Sequence, residues 1–385
     1  MNIKNTKTEE LFKEYIRLQP NSEELYYPDC FIKEIHTEYL KNGVVRLPNP
    51  LYATWDIVSA CNLNCVFCSA CASRTENSFI DNEKTMYIAE KILESQIKYL
   101  SIRGGEPTLY RQLPLVVKKC IETGIFVEIV SNGLHIDETL LNVLRLLPSS
   151  LYKIKISIDS YCKDTNDLQR GKNSFDNAIR AMEKCQGMKI PYRNQMVVTK
   201  NNYRDICETY KLCSELGAES FGCMLLLPIG RGRSSKLKIQ LNETILEQLI
   251  YILKNEKKTK LEKIGLGTSS IEWYKDMFDS SIGSEEDAVI LGHLKCNGAK
   301  TRIYINENGD VYPCDLLQYS DYYMGNIISD NNYWNSENAI SFCGLNRRNR
   351  QRCRSCSFYQ CNMGCYAISI ENKDSEGRMR PNCEV

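Results

Sequence analysis

Between residues 51 and 227 the chain alternates two hydrophobic rhythms. Short runs dominated by apolar residues, at 51–58, 99–102, 126–130, 153–158, 195–198 and 221–227, have the length and composition of buried strands. Between them, apolar residues recur every three or four positions across 82–96, 112–122, 138–147, 174–186 and 203–216, the spacing of helices with one buried face. Strands alternating with helices predict an α/β domain built of βαβ units around a parallel sheet. Right-handed crossovers curl such units into a partial (β/α)6 TIM-like barrel, with the loops that carry chemistry at the C-terminal strand ends.

The flanking regions read differently. Residues 1–50 form an N-terminal extension with one helix expected over 8–17. Residues 231–292 are charged and mostly helical, including an expected helix over 243–255, and bridge the barrel (51–230) to the tail. From 293 to 385 periodicity fades while Cys, Gly, Asn and Arg accumulate, which predicts a domain stapled by metal rather than held by a large core. Neither internal repeats nor low-complexity tracts occur.

Composition narrows the function classes. The net charge of +1 over 385 residues gives no basic surface suited to nucleic acid. No apolar run reaches the roughly 18 residues of a membrane span, and the start MNIKNTKTEE lacks a secretory pattern. A cytoplasmic protein is therefore expected. In a reducing compartment, 19 cysteines point to metal or catalysis rather than to disulfides. Cys120, Cys185 and Cys213 are exceptions, because each falls on an apolar helix stripe where a thiol behaves as a small hydrophobe.

Directly after the first strand run, Cys61, Cys65 and Cys68 follow one another at C-x3-C-x2-C spacing, with Phe67 among them. Iron–sulfur clusters normally take four cysteine thiolates, so three leave one corner open to a small molecule. The alternatives are a zinc site, which needs four ligands, and a closed cluster completed by Cys71. After the second strand run comes Arg103-Gly104-Gly105-Glu106-Pro107. Its glycines permit close backbone approach to a ligand, and its carboxylate suits an ammonium group. A tight turn with a helix-capping acid is the plain alternative.

Together these two segments resemble the signature of the radical S-adenosylmethionine (radical SAM) enzymes. The resemblance implies that Cys61, Cys65 and Cys68 hold a [4Fe–4S] cluster whose open iron chelates S-adenosylmethionine. It places Phe67, Gly104, Gly105, Glu106 and Pro107 at that cofactor, with Asn132, Ser157 and Asp159 at later strand ends near its ribose or methionine part. Arg170 is a candidate for the methionine carboxylate, or else a solvated loop cation.

In the tail, Cys296 and Cys314 precede Cys353-x2-Cys356-x4-Cys361-x3-Cys365 and Cys383. This arrangement resembles the SPASM domain, with x4 where x5 is common; a zinc ribbon is the alternative. The resemblance implies two auxiliary [4Fe–4S] clusters, three clusters in all. Cys353, Cys356, Cys361 and Cys383 would hold the distal one, and Cys296, Cys314 and Cys365 the one nearer the barrel. Some relatives carry a further cysteine where this chain has Ile290, so the nearer cluster has an open iron or takes Cys223, Cys343 or His293. Asp315, following Cys314, resembles a catalytic base of sulfatase-maturating relatives, or else orients the cluster loop.

The implied reaction is reductive cleavage of S-adenosylmethionine to a 5′-deoxyadenosyl radical that abstracts hydrogen from a substrate C–H bond. A peptide or protein substrate is expected, with a flavodoxin or ferredoxin as reductant. Residues 1–50 are short for the leader-binding module of many peptide maturases. The alternatives are a small-molecule enzyme acting on a sugar or cofactor precursor, and a non-catalytic iron–sulfur or zinc scaffold.

Overall fold

The computed structural model describes residues 46–72, 81–227, 229–234, 296, 298–330 and 332–345, with isolated positions at 239, 244–245, 248–249, 251–252, 264–266 and 367. Ten strands form one sheet: β1 (Tyr52–Val58), β2 (Tyr99–Gly104), β3 (Phe126–Ser131), β4 (Tyr152–Ser157), β5 (Tyr192–Val198), β6 (Ser220–Leu225), β7 (Ile264–Leu266), β8 (Arg302–Ile305), β9 (Asp310–Tyr312) and β10 (Gly325–Asn326). Their order is β10-β9-β8-β1-β2-β3-β4-β5-β6-β7. Neighbours from β8 through β1 to β7 run parallel, whereas β9 and β10 are antiparallel additions.

The six expected strands are all present. So are the five expected helices, as α1 (Asn82–Glu94), α2 (Leu113–Glu122), α3 (Glu138–Arg145), α5 (Ser174–Gly187) and α6 (Ile206–Glu215). Side-chain caps explain two starts: Asp81 accepts from Lys84 N at 3.0 Å, and Asp137 from Leu140 N at 2.9 Å. One helix within the barrel was not expected. α4 (Lys163–Arg170) buries Asn166, Gln169 and Arg170, a polar face that hydrophobic periodicity cannot register.

The described part of the tail, 298–345, joins the main sheet and core. β8 pairs with β1, from Tyr52 opposite Arg302 to Trp55 opposite Ile305, and Ile303, Ile305, Val311, Trp334 and Phe342 belong to the same apolar core as the barrel. Within 231–292, positions 244–245, 248–249 and 251–252 are helical as expected, but 264–266 adds strand β7. The expected helix over 8–17 lies outside the described residues. Cys120, Cys185 and Cys213 are fully buried in the core, as expected. Among the described residues no helix is long and apolar enough to cross a membrane.

Alternation gives the sheet two unlike faces. Trp55, Ile57, Leu100, Ile102, Val127, Ile129, Ile154 and Ile156 join helix residues such as Ile92, Val117, Leu141 and Met182 in the core. The other face carries Thr54, Asp56, Ser101, Arg103, Glu128, Lys155 and Arg193. Its floor is aromatic: Tyr99 lies 4.8 Å from Tyr52 and 4.9 Å from Phe126 between ring centroids. Above it Glu128 pairs with Lys155 at 3.1 Å and with Arg193. Burial would raise the Glu128 carboxyl, but these two cations hold it down at about 2.

Candidate active site

The loop after β1 gathers Cys61, Cys65 and Cys68 with Leu63 and Ala72 into one small cluster. Cys61 is buried and the other two are half-buried, whereas Cys71, the alternative fourth ligand, is exposed and outside the cluster. Leu63 N donates to Cys61 Sγ at 3.4 Å. Burial pushes the Cys65 thiol up to about 12, against the pull of Arg170. Among the described residues no three His, Cys, Asp or Glu side chains crowd closely enough to hold a single ion.

Two segments grip this loop. From one side comes α4: Val66 N donates to Gln169 O at 2.9 Å, Cys65 Sγ to Arg170 O at 3.7 Å, and the Arg170 guanidinium lies 5.3 Å from the Phe67 ring centroid. From the other comes the single helical turn Arg231–Ser234 after β6. Arg231 N donates to Cys68 O at 3.0 Å, Nε to Cys65 O at 2.8 Å, and Nη1 to Ala72 O at 2.7 Å. Gly230 makes the approach possible. Its φ is +57°, and an added Cβ would lie 2.6 Å from Cys68 O and overlap Ser69 O. The sequence reading missed Arg231; its only local signal is an arginine between two glycines.

The Gly-Gly-Glu-Pro turn serves the chain itself. Gly105 N donates to Val58 O at 2.7 Å and Glu106 N to Ala60 O at 2.8 Å. A Cβ on Gly104 or Gly105 would overlap the Val58 or Ala60 carbonyl oxygen. The two glycines thus approach the end of β1 closely, which seats the cysteine loop. Glu106 is buried, and its carboxylate accepts from Thr108 Oγ1 at 2.6 Å, Thr108 N at 3.2 Å, Ser131 Oγ at 2.7 Å and Asn132 N at 2.8 Å. It caps the turn Pro107–Leu109 and ties β2 to β3. Burial raises its carboxyl while those donors oppose the rise.

Asn132 Nδ2 donates to Asn62 Oδ1 at 2.7 Å, which leaves Asn62 Nδ2 buried without a partner beside Cys61. An orphaned donor next to a thiol suits a bound acceptor. Ser157 is half-buried at the end of β4. Asp159 is fully buried and paired with Arg170, at 2.7 Å from its Nε and 2.9 Å from Nη2, while Val197 N donates to it at 2.8 Å. Arg170 is therefore a buried pair member, not a solvated cation.

A second polar group sits at the β1–β2–β8 end of the same face. Asp315 Oδ2 lies 2.5 Å from Arg103 Nη2 and its Oδ1 3.1 Å from Arg302 Nη2. Cys314 Sγ donates to the same Oδ1 at 3.2 Å. Arg103 Nε reaches Asp56 Oδ1 at 3.3 Å, and Tyr304 OH donates to Asp56 Oδ2 at 2.8 Å. Burial would raise the Asp315 carboxyl, but the two guanidinium groups hold it well below the usual range. Burial wins at Asp56 and pushes it up to about 6, against Arg103 and Tyr304. Cys296 and Cys314 are half-buried. Cys353, Cys356, Cys361, Cys365, Cys383, Ile290 and His293 lie outside the described residues.

Three thiols after the first strand of a parallel sheet, gripped by α4 and Arg231, define an enzyme that carries its cofactor at strand C-terminal ends. Family models for the radical SAM superfamily and for the iron–sulfur cluster-binding SPASM domain match residues 55–213 and 296–362. The chain is a radical SAM enzyme with a C-terminal SPASM domain, and its cofactors are [4Fe–4S] clusters and S-adenosylmethionine. It is 27% identical over 332 residues to the mycofactocin maturase MftC of Mycobacterium tuberculosis, covering 84% of this chain and 80% of that protein. It is 23% identical to an AdoMet-dependent heme synthase of Methanosarcina barkeri, covering 83% and 91%. The fold superposes on Streptococcus suis SuiB bound to S-adenosylmethionine with a TM-score of 0.71 and 19% identity, covering 94% and 84%.

Proposed function

We propose that this enzyme is a maturase that removes a hydrogen atom from a peptide or protein substrate in order to form a new bond or an oxidised side chain. The likeness to a maturase over 84% of the chain is the observation that carries the substrate class. Cys61, Cys65 and Cys68 would hold the cluster that binds S-adenosylmethionine, and the buried Asn62 Nδ2 would be a donor available beside it. When bound, the pair supplies a one-electron route to breaking an unactivated C–H bond. The chain's own residues orient and enclose it: Arg231 and α4 fix the three-cysteine loop, and Glu106 fixes the turn beside it. Cys296 and Cys314 serve the auxiliary clusters, together with Cys353, Cys356, Cys361, Cys365 and Cys383. A flavodoxin or ferredoxin supplies electrons, and the chemistry belongs in a reducing cytoplasm.

Asp315, with one guanidinium on each oxygen, anchors Arg103 and Arg302. Asp56, on the polar face one strand from the glycine turn, is the carboxyl placed to exchange a proton near neutral pH.

The test is anaerobic turnover. Reconstituted protein should hold about twelve iron atoms for three four-iron clusters. With reductant it should release 5′-deoxyadenosine, and Cys65→Ala should abolish that release. Peptides encoded beside its gene should then change mass on incubation. The likeness to a heme synthase favours a second reading, a tetrapyrrole substrate. Conversion of a tetrapyrrole with every neighbouring peptide left intact would replace the first.

A further inference from the structure

We propose that Cys343 is a thiolate ligand of the auxiliary cluster that takes Cys296, filling the corner for which the cysteine pattern of the tail has no counterpart. The inference rests on the auxiliary-cluster reading above.

Cys343 ends helix α7 (Glu337–Cys343), which starts at the Ser336 cap. Its thiol is buried and donates to Ala299 O at 2.8 Å, so it lies against the loop that begins at Cys296. That loop is fixed from two more directions. A Cβ on Gly298 would stand 2.8 Å from Pro313 O and 3.1 Å from Phe342 Cε1. The segments carrying Cys296, Cys314 and Cys343 therefore interlock around one glycine, although they are far apart in sequence.

Lys300, which is 3% exposed, lies in the same loop beside Cys343. Of the two other candidates, His293 lies outside the described residues and Cys223 fails on position. Cys223 is fully buried on β6 near Cys207 and Cys213 of α6, in the core that the helices cover.

Ligation converts the thiol to a thiolate and releases one proton to solvent, with no change in oxidation state. The consequence is chemical: a cluster with every iron held by the protein relays electrons and does not bind a substrate thiol.

The full-length protein, reconstituted anaerobically as wild type, Cys343→Ser and Cys314→Ser, provides the test. Cys343→Ser should lose between one and about four of roughly twelve iron atoms and alter the electron paramagnetic resonance spectrum of the reduced protein. Unchanged iron and spectrum in Cys343→Ser, with both changed in Cys314→Ser, would overturn the proposal while leaving the auxiliary clusters in place. No change in Cys314→Ser either would overturn the auxiliary-cluster reading and this inference with it. Should Cys343→Ser fail to fold, excess small thiol added to the reduced wild type decides. An auxiliary signal that does not move supports a closed cluster, and one that shifts reveals an open iron.

Discussion

Arg103 and Asp315 meet at 2.5 Å, joining the last residues of β2 to the loop that follows β9. The pair couples the radical SAM sheet to the auxiliary-cluster segment. Replacing Asp315 by Asn leaves Arg103 and Arg302 without their shared anion, and losing one partner of a half-buried pair costs between the surface and the buried case, about 1 to 3 kcal/mol. The urea midpoint of Asp315→Asn should fall accordingly at neutral pH. A midpoint equal to wild type rejects the anchoring role.

Asp56 gives stability an unusual pH slope. Its carboxyl is raised from 3.8 to about 6 in the folded protein. Below 3.8 both folded and unfolded chains are protonated there. Between 3.8 and 6 the unfolded chain gives up its proton while the folded one keeps it, so this group withdraws stability as pH rises and the loss is complete above 6. A rise of about 2 units corresponds to at most about 3 kcal/mol. Relative to wild type, Asp56→Asn should gain stability between pH 4 and 7, as read from urea midpoints across that range. A constant difference would place the titration elsewhere.

Arg231 holds the three-cysteine loop through the carbonyls of Cys65 and Ala72 without touching a thiol. Losing such an outer support typically weakens metal affinity about 10- to 100-fold. In Arg231→Ala, chelator should strip iron from the reconstituted enzyme faster by a comparable factor, with Arg231→Lys intermediate because it restores one donor. Wild-type iron retention in Arg231→Ala would show that α4 alone holds the loop.

Gly105→Ala tests the seating of the glycine turn. Its new methyl would overlap Ala60 O, a backbone atom that cannot swing aside. Either β2 or the cysteine loop must shift, so reconstituted iron and release of 5′-deoxyadenosine should both fall well below wild type. A variant with full iron and full release would show that the turn is looser than its hydrogen bonds imply.

Much of this was legible because parallel strands read as plain apolar runs, and because cysteine spacing needs no tertiary information. The rest was hidden for identifiable reasons. α4 buries Asn166, Gln169 and Arg170, so its inner face looks like a solvated one. β8, β9 and β10 span four, three and two residues, too short for alternation to show. The four donors to Glu106 could not be read from the sequence, because they come together only when β2 and β3 lie side by side. Asp56 stood in plain view, an acid inside an apolar run, and that anomaly was its signal.

The pairing of β8 with β1 has a further consequence for anyone shortening this enzyme. A version ending near residue 295 would not be a smaller catalyst with its relay removed. It would bare the flank of the strand that leads into the three-cysteine loop, along Tyr52–Trp55, and a naked strand flank invites other chains to adhere. Dissecting the relay from the radical centre therefore calls for point substitutions rather than scissors.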